Sequence, residues 1–365
     1  MSLTLRGIGT ALPSTILTQD DALRLARVLC ARTAEQATWL PGMYEGTGIR
    51  TRRVVLAPQI IRDVLDGTSL SGSVFLPSAD PDDRGPTTAE RMQIYAEEAG
   101  PLALPAATRA LADGRVLPGE VTHLVTVSCT GFAAPGLDQV LIRGLDLPAT
   151  VQRTHVGYMG CHGAINGLRV AKAFADADPG ARVLLCAVEL CSLHYHYGWD
   201  PQRMVANALF ADGAAAAIGL ASPEPRERRV LATGSYVLPD SAQDMGWTVG
   251  DHGFEMTLSR RVPGLIARHL RPWLDAWLGQ LGLERAVVGG WAIHPGGPRI
   301  LQAVAESLDL SAEATAPSRA VFAELGNMSS PTVLFILERL RQQGKQPCVL
   351  LGFGPGLVAE AALVV

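Results

Sequence analysis

The chain is short of lysine, of aromatic residues and of net charge. Lysine occurs only as Lys172 and Lys345, arginine supplying the other basic residues, and aromatics are 5% of the composition. The formal charge of -4 and an isoelectric point near 6.1 leave no basic face for nucleic acid or an anionic membrane. No uncharged run reaches the ~20 residues of a spanning helix. The opening Met1 to Arg6 lacks the charged-then-apolar profile of a signal peptide. The six cysteines, Cys30, Cys129, Cys161, Cys186, Cys191 and Cys348, include no C-x-x-C pair and no regular ladder. That argues against a zinc ribbon or disulfide framework and fits a reduced, cytoplasmic compartment.

What is present is a chain of 365 residues, 48% hydrophobic and 18% charged, long enough for a large core in two closely packed halves. Residues 3 to 10 alternate like a strand, Asp20 to Arg32 reads as a helix, and Asp66 to Gly85 is the most loop-like stretch. Thr87 to Gly114 is helical, with interruptions expected at Pro101 and Pro105. From Thr122 to Leu220 strands alternate with helices, which implies a largely parallel buried sheet. Ala221 to Arg229 is the best boundary, dividing the chain into halves 1–225 and 226–365. The second half repeats the scheme, with strands at Val230 to Leu238, Phe254 to Leu258, Val287 to His294 and Cys348 to Val365, and helices at Pro263 to Leu281, Pro298 to Leu308 and Ser330 to Gln343.

Two stretches share one ruler. Residue 161 to the apolar run at 183, and residue 327 to the apolar run at 349, are the same 22-residue step. Each reads as polar turn, amphipathic helix, Gly-bearing break and buried strand. A duplicated half-domain is the simplest explanation. It would bring Cys161 from one copy and His294 with Asn327 from the other to one pseudo-twofold axis.

The three residue types suit one task. Cys161, flanked by glycines at the start of a helix, is placed where free N–H groups and the helix dipole favour a thiolate. His294 ends an apolar strand, where open α/β sheets present ligands, and can pair with the thiolate and offer an N–H. Asn327 adds a neutral donor that does not titrate. Together they can hold an acyl group as a thioester while an enolate, made by decarboxylating a malonyl thioester, attacks it. No metal or redox cofactor is required.

The chain resembles the type III polyketide synthases, the chalcone and stilbene synthase-like enzymes of the thiolase superfamily. The resemblance is carried by Gly160-Cys161-His162-Gly163, Leu209-Phe210-Ala211-Asp212-Gly213, Val262-Pro263-Gly264, His294-Pro295-Gly296-Gly297-Pro298, Gly326-Asn327-Met328-Ser329-Ser330 and Gly352-Phe353-Gly354-Pro355-Gly356. Ser128 to Phe132 and Met245 to Trp247 look more like bacterial members. The resemblance implies a five-layered α/β/α/β/α thiolase fold, a homodimer, and no cofactor beyond the coenzyme A thioesters it consumes, an acyl-CoA starter and malonyl-CoA. It makes Cys161 the acyl-accepting nucleophile, with His294 and Asn327 binding the thioester carbonyl. Phe210 becomes the gate between tunnel and cavity, and Ser329 with the Phe353 and Pro355 loop shapes the wall. Gly296, Gly297 and Arg299 fall where the family touches the pantetheine arm.

Several positions depart from the plant pattern. Met256 replaces a second gate aromatic. Cys129, Thr130, Cys191 and His194 stand where hydroxyl-bearing side chains are common, Trp247 replaces a small residue, and Ala134 replaces a Met that reaches into the neighbouring subunit. Gly42 and Gly46 occupy places of phosphate-binding basic residues, leaving Arg50, Arg52 and Arg53 as substitutes. Glu189 to His196 contains a His-x-His that matches no standard zinc framework and is better explained as cavity wall, so no metal is expected. Two alternatives stay open: a single-condensation ketosynthase of the fatty acid initiation type, and a catalytically silent partner subunit.

Overall fold

The computed structural model describes residues 2–80, 82–222 and 228–365. The first half holds strands β1 (Ser2–Ala11), β2 (Thr15–Thr18), β3 (Thr51–Val54), β4 (His123–Ser128), β5 (Gln152–Gly157), β6 (Arg182–Leu190) and β7 (Asp212–Ser222). Its helices are α1 (Gln19–Leu29), α2 (Ala34–Glu45), α3 (Pro58–Asp66), α4 (Thr88–Gly114), α5 (Leu137–Leu145), α6 (Gly163–Ala177) and α7 (Met204–Leu209). The second half adds β8 (Arg229–Val237), β9 (Met245–Gly250), β10 (Gly253–Leu258), β11 (Gly290–Ile293), β12 (Cys348–Gly354) and β13 (Val358–Val364). Its helices are α8 (Val262–Gln280), α9 (Pro298–Ser307), α10 (Ala312–Leu325) and α11 (Thr332–Gln342).

The duplication is visible in the sheet, whose order is β11-β12-β13-β8-β1-β7-β6-β4-β5. In the first half β4 runs parallel to β6, β6 antiparallel to β7, and β7 antiparallel to β1. In the second, β11 runs parallel to β12, β12 antiparallel to β13, and β13 antiparallel to β8. The two half-sheets meet where β1 pairs with β8 at only Leu3 with Val230 and Thr4 with Arg229. The expectation of a largely parallel sheet is corrected. Three of the eight neighbouring pairs are parallel, because β12 turns directly into β13 and β6 returns as β7 without a crossover back to the same direction.

Strand alternation sorts the core into layers. Val125, Val127, Val183 and Leu185 of the first half-sheet, and Ala292 and Leu350 of the second, face a central layer with Leu168 of α6 and Leu334 and Leu337 of α11. Leu124, Leu184, Cys186 and Val188 face outward against the alanine-rich side of α4. Trp291, Ile293, Val349 and Leu351 face outward against α8 and α9. This gives the five layers expected of the thiolase fold.

Local chemistry accounts for the helix starts. Thr33 with Gln36, and Thr87 with Glu90, form capping boxes at the N-termini of α2 and α4. Pro101 and Pro105 do not interrupt α4, contrary to expectation. Both lie on its exposed side, where the freed carbonyls reach water, while its apolar side stays against the sheet. Residues 223–227, on which the expected boundary between halves falls, lie outside the described residues.

Candidate active site

After β5 the chain passes through Tyr158 and Gly160, both with positive φ (63° and 66°), into a 3-10 turn at Gly160–His162 that leads into α6. A Cβ on Gly160 would stand 2.6 Å from Pro355 Cδ, so only glycine lets the turn close under the Phe353–Pro355 segment. Cys161 therefore occupies the turn before the α-helix rather than the helix itself. The expected depression of its pKa is corrected too. Burial pushes the thiol up to about 11, against the pull of Ser329 and Asn327 beside it and with a further push from Glu189. The Asn327 NH2 stands near the thiol without completing a hydrogen bond.

His294 follows β11, and its backbone N–H donates to Leu351 O at 2.8 Å, which fixes it at the strand end. The residue is 1% exposed, and both ring nitrogens are buried without a partner. Burial, with His162 nearby, lowers its pKa to about 3, so the imidazole is neutral and carries one N–H and one lone pair. Asn327 follows Gly326, whose φ of 71° ends α10. Its backbone bridges to the first half, donating to Leu209 O and accepting from Ala211 N–H, each at 2.9 Å. Its Oδ1 accepts from Ser329 N–H at 2.8 Å, which turns the unpartnered, buried NH2 away toward the cavity.

These groups open on one cavity of about 1170 Å³, including its mouth. Cys161, His294, Asn327, Phe210, Met256, Cys129, Thr130, Cys191, His194, Trp247, Ser329, Phe353, Pro355, Gly296 and Arg52 all line it. Gly297 instead caps α9 at its N-terminus, and Arg299 is exposed on the first turn. Arg52 and Arg53 do not fit the expected phosphate role. The Arg52 side chain is buried, and its terminal nitrogens donate to Asn207 O, Ala208 O, Phe210 O and Gln19 Oε1. It anchors the end of α7 and the backbone of Phe210. Arg53 donates to the carbonyls of Pro13 and Ser14.

The sequence left Glu189 aside except as a zinc ligand. It is fully buried on β6 and accepts from Cys129 N–H, Thr130 N–H, Thr130 Oγ1 and Ser330 Oγ at 2.6–3.1 Å. Its burial raises its pKa, and its partners hold the Cys129–Thr130 wall from one half and Ser330 from the other. The available signal was a lone acid at the end of an otherwise apolar strand, which demands buried partners. His194 is likewise satisfied: Nε2 meets Thr130 O at 2.6 Å and Nδ1 accepts from Phe254 N–H at 3.1 Å. Among the described residues no group of three or more His, Cys, Asp or Glu side chains is arranged to hold a metal ion.

A separate two-stranded hairpin, β9–β10, forms one wall. Trp247 pairs with Met256 and Met245 with Leu258, so these four and Phe254 share the face that lines the cavity. Phe254 stacks between His194 (4.0 Å) and Trp247 (5.0 Å). Thr88 holds the hairpin tip through Gly250 O and Gly253 N–H.

The profile for chalcone and stilbene synthases, N-terminal domain, matches residues 2–223, and that for the C-terminal domain matches residues 230–365. The alpha-pyrone synthesis polyketide synthase-like Pks18 of Mycobacterium tuberculosis is 33% identical, over 98% of this chain and 90% of the relative. A 1,3,6,8-tetrahydroxynaphthalene synthase of Streptomyces peucetius is 32% identical, over 98% of this chain and 91% of the relative. Among solved structures, PKS-I of the brown alga Ectocarpus siliculosus superposes with a TM-score of 0.90 at 30% identity, covering 100% of this chain and 98% of that one. The C-terminal type III polyketide synthase domain of Steely1 from Dictyostelium gives 0.89 at 26% identity, covering 100% and 99%.

Proposed function

The chain belongs to the chalcone and stilbene synthase family and is a type III polyketide synthase, and from that premise we propose how its residues divide the work. One observation supports the assignment most strongly: the two ring nitrogens of His294 and the Asn327 NH2 are buried without partners in the same largely apolar cavity that Cys161 lines. Unpaired buried polar groups cost roughly 1–3 kcal/mol each, so their persistence fits a site built for a substrate oxygen.

Loading begins when Cys161 Sγ attacks the starter thioester carbonyl. The thiol proton passes to the neutral His294 and leaves on the coenzyme A thiolate, so an acyl–Cys161 thioester forms as the acyl–CoA bond breaks. Malonyl-CoA then loses CO2. The electron pair of the broken C–C bond moves onto the thioester oxygen, where the His294 N–H and the Asn327 NH2 hold the enolate. The enolate carbon attacks the acyl–Cys161 carbonyl, expelling the thiolate, and the lengthened chain reloads Cys161 for the next round. Low polarity around the site strengthens these contacts. Phe210, carried on the same backbone bridge as Asn327, acts as gate between the mouth and this centre.

The second copy of a homodimer would cover β5, the end strand of the sheet. Tyr158 and Met159, which directly follow it, are exposed (58% and 41%). No helix among the described residues is long and apolar enough to cross a membrane.

The experiment is intact-protein mass spectrometry after exposure to acyl-CoA starters, followed by product analysis with malonyl-CoA. A covalent acyl adduct on Cys161 and cyclised products of several extensions are expected. A single two-carbon extension without ring formation would instead support the ketosynthase reading. Cys161→Ala should lose both adduct and product, and substantial turnover by that variant overturns the scheme.

A further inference from the structure

Resting on that reading, we infer that the starter is a straight-chain aliphatic acyl thioester, without hydroxyl groups, whose tail lies along the inner face of β9–β10.

The first support is the state of the polar side chains around the cavity. Thr130 Oγ1 donates to Glu189 and accepts from Leu190 N–H. Ser192 Oγ donates to Asp212, and the Tyr195 hydroxyl pairs with that of Tyr44. Asn207 bonds the backbone of His196 through both ends of its amide. His194 has both nitrogens engaged, Arg52 holds four oxygens, and Ser329 Oγ lies 3.7 Å from Cys129 Sγ beside the nucleophile. Among the fully buried side-chain nitrogens and oxygens of the residues lining this surface, those without a partner belong to His294 and Asn327, which the reaction uses, and to Arg52 Nε. A hydroxyl on the starter would lose water and, away from the reacting carbonyl, meet polar side chains most of which are already engaged.

The second support is the shape of the wall. From Phe254 through Met256 to Leu258 every second residue of β10 faces inward, and Trp247 and Met245 oppose them from β9. That is a face roughly 13 Å long at ~3.3 Å per residue, whose side chains are hydrocarbon or thioether apart from the indole N–H of Trp247. It exceeds a single aromatic ring and suits an extended hydrocarbon. Thr248, Glu255 and Thr257 alternate onto the other face.

The test compares kcat/KM for butanoyl- to dodecanoyl-CoA, and for phenylpropanoyl-CoA against its para-hydroxy derivative. Malonyl-CoA decarboxylation without starter is followed in parallel. Each added methylene should raise kcat/KM about fourfold until the face is full, and the para-hydroxyl should lower it about 5- to 150-fold. Met256→Gln, which places an amide on the face, should shrink the hydroxyl penalty to about threefold or less, while Thr257→Ala on the outer face should leave it unchanged. A flat response to chain length, a tolerated hydroxyl, or an unchanged penalty in Met256→Gln overturns the inference. With decarboxylation intact, those results leave the enzyme assignment standing. Absence of decarboxylation and of any Cys161 adduct removes both.

Discussion

Replacing Asn327 by Asp changes one atom of the site and reverses its electrostatics. The new side chain keeps the oxygen that accepts the Ser329 N–H at 2.8 Å, so the loop after Gly326 retains its anchor. What is lost is the NH2 that lies buried and unpartnered in the cavity. Loss of one such preorganised donor to a developing oxyanion costs about 2.7–4 kcal/mol, or 10²–10³ in rate. An ionised Asp adds repulsion toward the enolate, so Asn327→Asp at neutral pH should decarboxylate malonyl-CoA at least as slowly as Asn327→Ala. The position is 1% exposed, and burial raises a carboxyl pKa. As pH falls through that raised value the carboxylic acid becomes neutral and can donate, so the Asp variant should regain activity in acid while the Ala variant does not. Rates of CO2 release from pH 5 to 8, with circular dichroism to verify folding, decide the matter. Activity of the Asp variant within threefold of wild type at neutral pH, or a pH profile parallel to that of the Ala variant, would refute the oxyanion role.

Arg52→Met should destabilise the protein by about 3–5 kcal/mol, since four oxygens lose a buried cationic partner; a urea midpoint equal to wild type would contradict the anchoring role. Gly160→Ala forces a left-handed φ on an L-residue at about 1–2 kcal/mol and displaces Pro355, so acyl loading should slow roughly tenfold or more, read as adduct formation against time. The buried His294 and His194 have folded pKa values of about 3 against ~6.5 unfolded. The unfolded chain therefore takes up the protons: the stability is fully present above ~6.5 and is lost as pH falls toward 3. Between pH 7.5 and 5 this amounts to about 2 kcal/mol for His294 and less for the cavity-facing His194. Urea midpoints that do not fall in His294-intact protein, or fall equally in His294→Gln, would refute it.

Much of this was legible because periodicity and duplication are written in the residues. The equal spacing after Cys161 and Asn327 corresponds to α6–β6 and α11–β12, and it carried the site across the two halves. Other elements were hidden for physical reasons. Helix α2 contains Pro41 and Gly42 and buries only Leu40 and Tyr44 along its length, so no apolar stripe marks it, although the Thr33 and Gln36 box does. Pro101 and Pro105 were read as breaks because sequence does not say which side of α4 faces water. Arg52 could not be told from a phosphate ligand, since a guanidinium serves carbonyl and phosphate oxygens alike. The Cys161 thiol was assigned a depressed pKa from its place near a helix start, where enclosure proved the larger influence. Glu189 gained meaning only when donors from two distant segments, Ser128 to Thr130 and Ser330, were seen to converge on it.

The meeting of the half-sheets at two residue pairs has a historical corollary. An ancestor consisting of a single half would rebuild the same seam by associating with a second copy of itself, and each copy would then need every reactive group. Fusion into one polypeptide removes that requirement, so either repeat is free to lose what the other retains. The present asymmetry, sulfur on one side and imidazole with carboxamide on the other, is the division of labour such a merger permits.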